Sequence, residues 1–151
     1  MSNNFSKKKL DGSNLRIVVV AARFNEGVCE GLLAGALKAL QECKVLREHI
    51  TVVRVPGSFE LPLAVARVLG DADVDAAVAL SCLIKGETKH DEFLANAVTQ
   101  ALQDIAVHRE KPVGYGVITA ITQEQALERA QDKGDNRGYH AAYAAVEMAL
   151  I

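Results

Sequence analysis

A chain of 151 residues, 50% hydrophobic and 24% charged, can bury one self-sufficient core and is too apolar to be disordered. A formal net charge of −2, with Lys and Arg scattered among acids, argues against the basic stripe that a nucleic-acid backbone demands, so any anion site is local. Cys29, Cys43 and Cys82 form an odd set without C-x-x-C spacing, which suggests neither a disulfide framework nor a zinc site.

Residues 1–14 are read as a flexible polar tail carrying Lys7, Lys8 and Lys9, and residues 15–151 as a single domain. The tail has no apolar signal region, and no later run approaches the ~18 apolar residues of a membrane span, so a reducing, cytoplasmic setting is expected. Residues 15–22 are short and β-branched and predict a first strand. Residues 27–40 set Val28, Leu32, Leu33, Ala36, Leu37 and Leu40 on one helical face, with Gly31 and Gly35 expected to allow close packing against the sheet.

A second strand is predicted at 50–55, stopped by Pro56-Gly57, and a second helix at 61–69 with Pro62 in its first turn. A third strand at 74–80 precedes a helix at 92–107 patterned by Phe93, Ala97, Val98, Ala101, Leu102 and Ile105. A fourth strand at 113–118 leads to a capping box, Thr122 to Gln125, opening a helix to about 131. Gly134 to Gly138 breaks that helix before a last one at 139–150.

Strands alternating with helices at this spacing imply right-handed crossovers and an α/β fold. The expected architecture is a three-layer sandwich around a four-stranded parallel sheet, flavodoxin-like in arrangement. In such sheets the ligand crevice lies beyond the carboxyl ends of the strands. That rule selects residues 23–26, 56–60, 82–90 and 115–119.

Phe24 stands in a polar setting, where its ring either packs on a neighbouring helix or offers a stacking surface to a flat ligand. Tyr115, on the fourth strand, is expected near the same edge and able to line the same slot. In residues 56–60, Ser58 reads as a helix N-cap with Glu60 at the positive helix end, and equally as polar contacts for a ligand with Phe59 beside them. Residues 82–90 read as the turn from strand to helix. There Gly86, Glu87 and Thr88 could cradle a phosphate, or Thr88 could merely cap the helix with Asp91 closing a capping box.

His90 sits at that helix start beside Lys89 and Asp91, which makes it a candidate proton carrier. His49, His108 and His140 lack such a position and read as ordinary surface or core residues. No second His or Cys stands at ligand spacing from His90, so metal binding is not expected. Arg129 is a candidate phosphate clamp through its guanidinium.

The motifs Arg23-Phe24-Asn25, residues 55–62 (Val-Pro-Gly-Ser-Phe-Glu-Leu-Pro), residues 84–90 (Ile-Lys-Gly-Glu-Thr-Lys-His) and Asn136-Arg137-Gly138 stand in one order. With them the chain resembles the lumazine synthase family over residues 15–148. The resemblance implies condensation of 5-amino-6-(D-ribitylamino)uracil with 3,4-dihydroxy-2-butanone 4-phosphate to 6,7-dimethyl-8-ribityllumazine, phosphate and water, without cofactor or metal. It implies Phe24 as the ring stacking on the pyrimidine, with Asn25 and Tyr115 among the substrate contacts, and Ser58, Phe59 and Glu60 as ribityl contacts. It further implies backbone contacts from Cys82, Leu83 and Ile84, phosphate contacts from Gly86, Glu87, Thr88 and Arg129, and proton transfer by His90.

Three positions depart from the family pattern: Cys82 replaces a small residue, Asp91 an aromatic, and Tyr115 a frequent Phe. A carboxylate meeting His90 would favour the protonated imidazole. The resemblance also implies a homo-oligomer: pentamers with active sites shared between neighbours, assembled into a 60-subunit icosahedral shell because the segment 131–139 is short. Two rival readings are a flavin-binding module and a non-catalytic shell protein of the same fold. The first expects a Gly/Ser/Thr-rich phosphate loop after the first strand, where this chain has Ala21-Ala22-Arg23-Phe24-Asn25.

Overall fold

β-Branched residues fill β1 (Ile17–Ala22), and all six of its residues are buried, as in a central parallel strand covered on both faces. The structure is a computed structural model that describes residues 7–132 and 134–151, so residues 1–6 of the expected tail and Lys133 lie outside the described residues. The elements continue as α1 (Glu26–Glu42), β2 (Ile50–Val55), α2 (Leu61–Leu69), β3 (Ala76–Ile84), α3 (His90–Arg109), β4 (Val113–Ala120), α4 (Gln123–Glu128) and α5 (Arg137–Ala149). Short 3-10 turns at Arg47–His49 and Ser58–Glu60 precede β2 and α2.

The four strands form one parallel sheet in the order β2-β1-β3-β4. Helices α1 and α5 pack on each other and on the sheet, while α2 and α3 pair with each other and with the sheet. This is the expected α/β sandwich of flavodoxin-like arrangement, and the chain direction reverses between β1 and β3, where the order switches. The core is built from Ile17, Val19, Val20, Leu32, Leu61, Leu80 and their neighbours, all essentially inaccessible to water.

Strand β2 and helix α2 fall where the sequence places them. Strand β3 runs on to Ile84, so Cys82, Leu83 and Ile84 belong to a strand and not to the turn that follows it. The expected ending at residue 80 falls four residues short, and the hydroxyl of Ser81, the first residue beyond it, is satisfied inside the fold. Helix α3 begins at His90 and buries only Val98 and Leu102, leaving Phe93 and Ala97 exposed although both fit the apolar pattern. At α4 the Thr122 Oγ1 accepts from Gln125 N–H at 3.2 Å as a capping box requires, but Gln125 Oε1 accepts from Ile121 N–H rather than that of Thr122. The helix is one and a half turns long and stops at Glu128.

Gly31 and Gly35 do face a close neighbour, but it is the segment after α4 rather than the sheet. A Cβ on Gly31 would lie 2.4 Å from Ala130 O, and one on Gly35 would lie 2.1 Å from Asn136 Oδ1. Asn136 is the centre of this contact. Its Oδ1 accepts from Tyr139 N–H at 3.0 Å and caps α5, while its Nδ2 donates to Gly31 O and Gln131 O, each at 3.0 Å.

Replacing Asn136 by Asp tests that reading, because aspartate keeps the cap and loses both donations. A carboxylate would then face two carbonyl oxygens in a site only 5% exposed. Asn136→Asp should lower the unfolding free energy by about 2 kcal/mol, measured by urea denaturation at neutral pH. Stability equal to wild type would show that the cap alone matters.

Candidate active site

Three strand ends meet at the switch point. Past β1 the chain stays beside β2, with Arg23 N–H donating to Val55 O at 2.8 Å and Phe24 N–H to Pro56 O at 3.1 Å. Asn25 then turns into α1 with φ 58° and ψ 53°, a left-handed conformation that asparagine tolerates better than most residues. Its Nδ2 reaches across and donates to Cys82 O at 2.9 Å, tying the end of β1 to β3.

That bond has a consequence for the backbone. Successive residues of a parallel strand direct their N–H and C=O groups to alternate sides. Ala77 N–H bonds Pro112 O and Lys85 N–H bonds Ala120 O, so the odd-numbered residues of β3 address β4. Cys82 and Ile84 address the other side, where pairing with β1 has already ended at Leu80. Cys82 O is taken by Asn25, and Leu83 addresses β4. The Ile84 peptide therefore faces the crevice, beyond the end of β1 and beside the Phe24 segment.

The Phe24 ring is 71% exposed and Phe59 is 72% exposed, two aromatic faces turned to solvent around this crevice. Ser58 does not cap a helix as expected. It opens the 3-10 turn, is 6% exposed, and its hydroxyl donates to Ser81 Oγ at 2.8 Å. The turn is closed instead by Glu60, whose Oε2 accepts from Gly57 N–H at 3.0 Å. The second carboxylate oxygen of Glu60 remains available.

Residues 85–90 are exposed, and no side chain caps α3. The expected box between Thr88 and Asp91 is absent; Thr88 Oγ1 accepts only from His90 N–H, at 3.3 Å. Beyond that contact the amides of Asp91 and Glu92 have no side-chain partner among the described residues, the condition in which a helix start receives an anion. Nothing in the chain lies within 4 Å of a Cβ built on Gly86, so the packing of this chain does not require glycine there. His90 is exposed at the head of the helix.

Arg129 Nη1 donates to Gln125 O at 3.0 Å, and the side chain lines a cavity of about 520 Å³ with Lys85, Asp91, Gln125 and Thr119. Asp91 thus faces the Arg129 cavity and forms no ion pair with His90 among the described residues.

Tyr115 is also placed differently from expectation. It is the third residue of β4, opposite Ala79, with its hydroxyl 2.7 Å from Thr99 Oγ1 on α3. Ala79 pairs with Val20, four positions before Phe24, so the two rings lie about 13 Å apart along the strands and two strand spacings apart across them. They do not line one slot within a chain. The sequence reading had placed Tyr115 near the strand end because it stopped β4 at residue 118; the strand continues to Ala120.

Sequence reasoning missed Ser81; Lys85 and Thr119 fall within the selected segments 82–90 and 115–119 but carry no assigned role there. Ser81 carried a readable signal, as the one hydroxyl in the otherwise apolar run of β3. Among the described residues no group of three His, Cys, Asp or Glu side chains could hold a metal ion. No helix there is long and apolar enough to cross a membrane.

A family model described as 6,7-dimethyl-8-ribityllumazine synthase matches residues 14–151. A relative of that name from Kocuria rhizophila is 45% identical over 143 residues, covering 93% of this chain and 89% of its own. One from Aquifex aeolicus is 42% identical, covering 95% and 93%, and one from Streptomyces avermitilis is 46% identical, covering 90% and 84%.

Two thiols lie under the crevice. Cys29 Sγ–H donates to Phe24 O at 3.2 Å, and burial pushes the Cys29 thiol from an ordinary value of 9.0 up to about 11 and the Cys82 thiol up to about 12. Below about pH 8 both are protonated folded or unfolded and contribute no pH dependence. Above it the unfolded chain gives up protons that the folded chain keeps, so stability falls as pH rises toward 12. Cys82→Ala should show a shallower loss of urea-unfolding free energy than wild type between pH 9 and about 10.5. Parallel curves would mean that Cys82 ionises freely in the native protein.

Proposed function

The chain belongs to the 6,7-dimethyl-8-ribityllumazine synthase family, and from that membership we propose how its own residues divide the reaction. It is a transferase of riboflavin biosynthesis. The reaction condenses 5-amino-6-(D-ribitylamino)uracil with 3,4-dihydroxy-2-butanone 4-phosphate, giving 6,7-dimethyl-8-ribityllumazine, phosphate and water. Neither rival reading is favoured: the family match covers the whole α/β unit, and no phosphate loop follows β1.

The observation that carries the assignment of roles is the unpaired Ile84 peptide beside an exposed Phe24 ring. A pyrimidine can continue the sheet there, meeting the β3 backbone at its edge and Phe24 on its face. Asn25 holds the crevice open by fixing Cys82 O. The ribityl chain runs toward Ser58, Phe59 and Glu60. The butanone phosphate sits at Gly86, Glu87 and Thr88, on the uncapped start of α3.

His90, one residue into that helix, moves protons during imine formation, phosphate loss and ring closure. Bound phosphate is already a competent leaving group, and holding two substrates together supplies much of the rate. A modest acid/base group therefore suffices.

Arg129 and Tyr115 complete the site from a neighbouring copy, a reading supported for Tyr115 by its place on β4 away from Phe24. Several large apolar side chains support such a contact by standing exposed: Phe24, Phe59, Phe93, Tyr115, Val107 and Ile121. The assembly is a pentamer, and with a short 131–139 segment twelve pentamers close into a shell of sixty. The working unit is the single domain 15–151 with residues 1–14 as its tail, in the cytoplasm.

His90→Ala should lower kcat by about a hundredfold and leave KM for the ribityl substrate within about threefold, followed by lumazine fluorescence. Equal turnover would remove the proton-transfer role. Light scattering of the wild-type chain should give a particle of about sixty subunits; pentamers alone would refute the shell.

A further inference from the structure

We propose that Ser81 is a positioning residue for the polyol end of the pyrimidine substrate, fixing the proton of Ser58 so that the Ser58 oxygen meets the ligand only as an acceptor. The inference rests on the reading of Ser58, Phe59 and Glu60 as the ribityl contacts.

Ser81 is fully buried in β3, where its neighbours in the strand are Ala, Val, Leu, Cys and Ile. A hydroxyl in such a layer is costly unless it is bonded. Its partner is Ser58 Oγ, which donates to it at 2.8 Å, from a turn that packs against β3 and is otherwise held by Glu60 on Gly57 N–H. A serine hydroxyl has one proton and two lone pairs. With its proton committed to Ser81, Ser58 has only lone pairs to offer.

Glu60 has the same character, since an ionised carboxylate donates nothing and one of its oxygens is free of Gly57. The two side chains of the turn therefore have only acceptors left for a ligand that reaches them. Such a surface selects ligand groups that donate, which is what a sugar-alcohol hydroxyl does and a fluorine or a bare methylene does not. Removing Ser81 frees the Ser58 proton to rotate, so that Ser58 can meet an acceptor-only group as well as a donor.

The test is steady-state kinetics with both substrates varied. Ser58→Ala should raise KM for the ribityl substrate about three- to tenfold, the size of one hydrogen bond, while kcat and KM for the butanone phosphate stay within about twofold. Ser81→Ala, which keeps the Ser58 acceptor but no longer orients it, should give a smaller rise of about two- to threefold, and Ser58→Ala with Ser81→Ala no more than Ser58→Ala alone. A ribityl analogue with fluorine in place of the contacted hydroxyl should be rejected by wild type and tolerated better, relative to the parent, by Ser81→Ala. Should Ser81→Ala fold poorly, Ser81→Cys fills the site with a somewhat larger side chain and only a weak acceptor, and should show the same pattern. An effect of Ser81→Ala that persists in the Ser58→Ala background, or a loss of active protein with KM unchanged, would overturn the inference and leave the bond a structural one. A KM indifferent to Ser58→Ala would instead remove the ribityl reading on which the inference stands.

Discussion

Strand β3 outlasts β1. Its pairing with β1 ends at Leu80, and from Ser81 to Ile84 it is held by β4 alone. A parallel strand with one open side leaves unsatisfied peptide groups, and buried peptide groups must find partners. Here one partner is Asn25, whose left-handed backbone lets α1 start at once and brings its amide onto Cys82 O. The next peptide on that side, Ile84, lies beyond the end of the β1 pairing. Phe24, Ser58 and the free start of α3 are all disposed around that gap, so the overhang of one strand sets the place of the whole site.

The molecule separates rigid from open parts along the same line. At the junction of α1 and α5, a Cβ on Gly138 would lie 1.9 Å from Leu32 O, and Asn136 ties together three backbone groups. Packing that close admits one arrangement and holds the sheet from behind. Residues 85–90 show the opposite economy, with exposed side chains, a glycine in open space and a helix lacking a side-chain cap. Segments with few buried contacts are those that rearrange most readily around a ligand.

Much of this was legible in the sequence, and the failures have a common physical origin. β-Branched runs gave the strands, and helical periodicity gave α1 and α2, because in each the pattern and the burial coincide. Strand β3 outran its expected end at residue 80 because a hydroxyl bonded to Ser58 sits comfortably inside a sheet. Phe93 misled for another reason: apolar periodicity on α3 marks a surface that avoids water without saying what covers it. Gly31 and Gly35 signalled close approach correctly, but a glycine does not name its neighbour, which proved to be Ala130 and Asn136. The candidate residues at the ends of β1, β2 and β3 came together because the rule for parallel sheets acts on strand ends alone.

Tyr115 and Arg129 lie outside that rule, and their positions bear on the proposed assembly. Sheet geometry holds the Tyr115 ring about 13 Å back along the strands from Phe24 and on the far side of β3, a separation that side-chain rotation cannot close. Arg129, anchored to Gln125 O, opens onto a cavity it shares with Lys85 and Asp91, at the carboxyl ends of β3 and β4. A site using both Phe24 and Tyr115 must therefore draw them from two chains. In the proposed pentamer this makes association and catalysis one event: a chain alone carries the pyrimidine wall and the proton carrier at one end of its sheet, and Tyr115 for a neighbour on β4. Loss of contact between copies would then remove activity without altering any residue that touches the pyrimidine.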